Sequence, residues 1–63
     1  MTTEEWRAYV ASGRRQVVYV GMFENTHVRG RIRRVTSAEI YVTFGEGDSR
    51  RVEPVHPGHL RPA

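Results

Sequence analysis

The run Ile40-Tyr41-Val42-Thr43-Phe44 alternates apolar and polar residues strictly, and Gly45-Glu46-Gly47-Asp48 follows it at once. Successive side chains of a strand point to opposite faces, so Ile40, Val42 and Phe44 share one side and Glu39, Tyr41 and Thr43 the other. Two glycines supply positive φ for a hairpin turn, which brings Ser49 to Val55 back as a further strand closed by Pro54. A chain of 63 residues without cysteine has room for one core and no disulfide to reinforce it. The expectation is a single small β-rich domain spanning residues 1–63.

The rest of the chain divides cleanly around that hairpin. Thr2-Thr3-Glu4-Glu5 reads as a capping box with Thr2 as N-cap. Trp6, Tyr9 and Val10 follow at helical spacing, and Ser12-Gly13 supplies the stop, so a helix is predicted over residues 3–11. So short a helix persists only when docked, with Trp6 as its anchor or as a partner contact. Arg14 to Val20 reads as the first strand and Gly21 to Thr26 as a loop carrying an exposed aromatic, Phe23. His27 to Val35 is the second strand, and His56-Pro57-Gly58-His59-Leu60 is a tight turn or one turn of 3₁₀ helix. Several short strands joined by tight turns imply a strongly bent sheet or barrel, because closure hides edges that a small core cannot otherwise protect. The candidate core is Val18, Val20, Ile32, Val35, Ile40, Val42, Phe44, Val52 and Leu60, capped by Trp6 and Tyr9.

Charge concentrates on the second strand. Val28-Arg29-Gly30-Arg31-Ile32-Arg33-Arg34-Val35 holds four arginines within six residues and no acid. Alternation projects Arg29, Arg31 and Arg33 from one face, beside Tyr41 and Thr43 of the next strand. Arg51 or Arg50 can extend the row from the strand after, and Arg14-Arg15 can reach it from the first. Arg34 breaks the pattern: a bulge near Gly30, or a strand twisting out of one sheet into the other, returns it to solvent, or it pairs with a buried glutamate such as Glu53. All ten basic residues are arginine and the net charge is +3. Codon usage explains the absence of lysine but not the clustering.

Guanidinium forks beside a tyrosine ring and a hydroxyl suit phosphate clamping with base stacking. The candidate binding residues are therefore Arg29, Arg31, Arg33, Tyr41 and Arg51, with nucleic acid, DNA or RNA, as the leading partner. An acidic protein surface is the alternative, with Trp6 and Phe23 as further contacts and the helix as a dimer seam for a homo-oligomer. A solvated face offset by Glu39, Glu46 and Glu53 is the bland reading.

The order Gly30-x-Ile32-x-x-Val35, Ile40 to Asp48, Arg51-Val52 and His59-Leu60-Arg61-Pro62 resembles SH3-like barrels across roughly residues 14–62. Tudor domains have a similar step before their last strands, and the ending is similar to the DNA-binding domain at the C-terminus of retroviral integrases. The resemblance implies a five-stranded SH3-like barrel over residues 14–63, behind an N-terminal helix within 1–13 and with a C-terminal 3₁₀ turn. It also implies a module for peptides, modified side chains or nucleic acid. Gly47-Asp48 stand where Tudor domains carry an aromatic of their methyl-ligand cage, and the positive charge disfavours basic methylated peptides.

Other chemistries find little support. His56-x-x-His59 has a spacing met at metal sites, but no cysteine and only distant His27 accompany it, so no metal or cofactor is expected. No nucleophile triad, paired carboxylate or phosphate loop stands out, and the expectation is a non-enzymatic module. The acidic N-terminal residues lack a signal core and no run approaches a membrane span, which predicts a cytoplasmic protein without a membrane partner.

Overall fold

The computed structural model describes residues 1–21 and 27–63; Phe23 lies outside the described residues. Helix α1 (Thr3–Ala11) precedes strands β1 (Gln16–Val20), β2 (His27–Val35), β3 (Ile40–Phe44), β4 (Arg51–Val55) and β5 (Leu60–Pro62). One-turn 3₁₀ helices, Gly47–Ser49 and Pro57–His59, lead into β4 and β5. All pairings are antiparallel, in the order β4-β3-β2-β1-β5. The sheet is open: β4 and β5 form its two edges, and each carries a proline, Pro54 and Pro62.

The helix forms where capping chemistry dictates. Glu5 N–H donates to Thr2 Oγ1 at 3.2 Å while Thr2 N–H donates back to Glu5 Oε1 at 2.8 Å. Those two reciprocal bonds satisfy donors that an uncapped helix leaves orphaned. They also hold the Glu5 carboxyl below its usual range, the backbone bond to Thr2 being the largest cause. Gly13, at φ +92°, ends the helix in the left-handed conformation that Cβ-bearing residues avoid.

Trp6, Val17, Ile32, Ile40, Val42, Phe44, Val55 and Leu60 form the core. Trp6 is 0% exposed, and its indole N–H donates to the Pro57 carbonyl at 3.2 Å. It is thus the centre of the core rather than its cap, and it is withdrawn from any partner contact. A buried tryptophan removes up to about 250 Å² from water, on the order of 6 kcal/mol at 25 cal/mol per Å². Tyr9 adds a second tie from α1, its hydroxyl donating to the Gln16 carbonyl of β1 at 2.7 Å.

Two strands present a different face from the one expected. Val17 is fully buried, while Val18 and Val20 are only half-covered, because Val17 lies opposite Gly30 on the core side. On β4, Phe44 stands opposite Arg51, so Arg51, Glu53 and Val55 take the core side and Val52 is turned out, 43% exposed. Residues directly opposite in an antiparallel pair share a face, so register overrules hydrophobicity here.

Candidate nucleic-acid interface

Arg29 and Arg31 of β2 project from the face away from the core, opposite Val18 and Gln16 on β1. Arg31 also stands opposite Thr43 on β3. Gly30, between them, faces inward, and a Cβ there would lie 2.6 Å from Val42 Cγ1 and 2.8 Å from Phe44 Cε1. Gly30 therefore marks a close crossing of Phe44 over the strand, not the bulge expected near it. Only a residue without a side chain lets this ring reach the strand that carries the arginines.

The bulge lies three residues on. Ile32 pairs with Val42 and Arg34 with Tyr41, so Arg33 is the extra residue of β2. Ile32 is buried and Val35 half-buried, both on the core side, and two residues between them need one more position than regular alternation provides. That three-residue apolar spacing was the signal in the sequence. The bulge turns Arg33 and Arg34 out together, where both line a cleft with Tyr41 and Val52. Arg34 lies over the Tyr41 ring, its guanidinium carbon 4.7 Å from the centroid. Among the described residues no glutamate is buried, and Arg34 joins the row instead of departing from it.

A second cleft on the same face is lined by Arg29, Arg31, Thr43 and Arg50, with Glu46 at its side. Arg31 also borders a third cleft with Arg14 and Arg15. Arg15 is committed to the fold, donating from Nη1 to the Ile32 carbonyl at 3.2 Å. Arg50, rather than Arg51, thus extends the row. Arg51 lies on the opposite face, over Phe44 at 5.5 Å and paired with Glu53 at 3.2 Å.

That pair is the one ion pair among the described residues. Arg29, Arg31, Arg33, Arg34 and Arg50 have no carboxylate partner there. Alternate strand positions recur about every 6.8 Å, where two unit charges in water repel by about 0.6 kcal/mol before screening. The row is cheap to hold in the free protein. Its charges add when a polyanion lies along it.

No family model, curated protein or solved structure matches the chain. Residue chemistry alone carries the assignment of a role.

The core-side cleft holds the residues that sequence reading underused. About 500 Å³ in volume, it is lined by Tyr19, Val28, Phe44, Arg51, His56 and His59 among others. Tyr19 meets Phe44 and His59 edge-on at 6.3 and 6.2 Å. His56 Nδ1 accepts the Gly58 N–H at 3.0 Å, which commits that nitrogen to the turn. Among the described residues no three metal-ligating side chains gather. Among the described residues no helix is long and apolar enough to cross a membrane.

Proposed function

We propose that this chain is a non-catalytic binding module that holds nucleic acid by phosphate contacts on its arginine face. The observation carrying this reading is that Arg29, Arg31, Arg33, Arg34 and Arg50 share one face of the sheet, with no carboxylate paired to them among the described residues. Arginine forks matched to phosphates give charge-assisted, bidentate bonds, and a row of them fixes a polymer in register without reading its bases. The fold that fits this role is a small SH3-like barrel, a reading supported by the β4-β3-β2-β1-β5 order and by the 3₁₀ turn before β5.

The test is salt dependence. Five phosphate contacts give a log–log slope of about −4.5 on duplex, and each arginine removed lowers its magnitude by about 0.9. Arg31→Gln and Arg33→Gln should each do so, while Arg51→Gln, on the other face, should leave the slope unchanged. Undetectable binding to DNA and RNA at low salt would sink the proposal.

Val52, 43% exposed and lining the cleft of Arg33, Arg34 and Tyr41, favours one second reading. An apolar centre with a charged rim is also the anatomy of a protein interface, here for an acidic partner. Under that reading nucleic acid fails to bind, and Val52→Ser weakens the protein complex.

A further inference from the structure

We infer that the arginine face is built for the two backbones of a double helix rather than for the bases of a single strand; this rests on the nucleic-acid reading above. Proteins that hold single strands pair a basic groove with rings on which successive bases stack. Among the described residues, rings of that kind are scarce on this face. Trp6 and Phe44 are core residues, and Tyr9 and Tyr19 pack against the core. Tyr41 is half-buried and has the Arg34 guanidinium 4.7 Å from its centroid. The imidazole of His27 sits at the start of β2, while Tyr41 is opposite Arg34 near its end. At about 3.3 Å per residue those two rings lie roughly 20 Å apart, with arginines between them. The described residues give neighbouring bases of one strand no continuous platform.

Breadth points the same way. A single strand is tracked by one line of charge, whereas this face carries arginine on both flanks of the β2 row. Arg14 borders Arg31 from the β1 side, and Arg50 borders it from the β4 side. The positive surface therefore crosses from β1 to β4, three strand spacings of about 4.8 Å, or roughly 14 Å. That width exceeds the roughly 6 Å minor groove and the roughly 12 Å major groove of a B-form duplex. Guanidinium groups at both margins can engage the phosphates that flank a groove, with Thr43 and Gln16 between them.

The experiment is fluorescence anisotropy of the full chain with a labelled DNA duplex, an RNA duplex of the same sequence and each component single strand, at about 50 and 200 mM salt. At least one duplex should bind about tenfold or more tightly than either of its own strands, and the preferred duplex distinguishes DNA from RNA. Tyr41→Leu, checked for folding by its melting curve, should shift duplex and single-strand affinities by a common factor, since the ring acts only through Arg34. A stacking site would lose roughly fivefold or more on single strands alone. Single strands binding as tightly as duplexes, or a loss confined to single strands in the Tyr41 variant, would overturn the inference and leave the nucleic-acid reading standing. Binding to none of the four probes would overturn that reading itself.

Discussion

Replacing Gly30 with alanine tests how the arginine strand is held. The added Cβ would come to 2.6 Å from Val42 Cγ1 and to 2.8 and 2.9 Å from two atoms of the Phe44 ring. Neither neighbour is the free end of a flexible surface chain, since Val42 is 0% and Phe44 3% exposed. Overpacking of that kind costs about 1–3 kcal/mol. Gly30 is not among the glycines with positive φ, so alanine meets no strain there and regains about 0.4–1 kcal/mol by restricting the unfolded chain. The clash wins, and a net loss of about 1–2 kcal/mol is expected. In a domain of this size that lowers Tm by roughly 4–16 °C. Urea and thermal unfolding followed by circular dichroism give the number. A double variant with Val42→Ala removes the closest of the three contacts, so its cost should fall short of the sum of the two singles by about 0.5 kcal/mol or more. A neutral or stabilising Gly30→Ala, or strict additivity in the cycle, would refute the close-crossing account.

Further stability experiments address the helix. Trp6→Phe keeps an aromatic but forfeits the bond to the Pro57 carbonyl and part of the core volume, so unfolding should become easier by about 1–3 kcal/mol. Thr2→Ala removes the N-cap and should cost about 1 kcal/mol at neutral pH. Because Glu5 is held below its usual range, its share of the capping box is full above the ordinary carboxylate pKa and fades as pH falls through the depressed one. Urea midpoints should therefore show the gap between wild type and Glu5→Gln, which does not titrate, narrowing on acidification, and a constant gap would argue against the reciprocal bond.

Where the chain carries its own local chemistry, structure follows sequence closely. The capping box predicts α1 residue by residue, β2 keeps the bounds His27–Val35, and the alternation of β3 assigns both its faces correctly. Errors arise where a face is decided by a neighbour in space. Val17 and Val18 are adjacent valines with no alternation between them, and pairing with Gly30 selects Val17. Arg-Val-Glu-Pro-Val offers apolar residues in both phases, and the register to Phe44 buries Val55 while exposing Val52. That same register sends Arg51 to the core side and leaves Arg50 with the row. The row itself was legible as a cluster, and its membership was not, since one extra residue at Arg33 changes which arginines share a face.

The prolines of the two edge strands bear on how copies of this molecule meet. An open sheet offers two unpaired margins, and a strand from another copy that docks there extends the ladder. Ala63 N–H donates to the Gln16 carbonyl, which makes Val17 opposite Pro62 a pair without mutual bonds and turns the Pro62 nitrogen toward the free margin. There a donor is missing where an incoming strand would need one, and Pro54 removes a donor from β4 at the opposite margin. Crowding many copies along one polyanion would raise their local concentration, the condition under which sticky edges fuse into fibres. With a proline on each margin, they can lie side by side and still come apart.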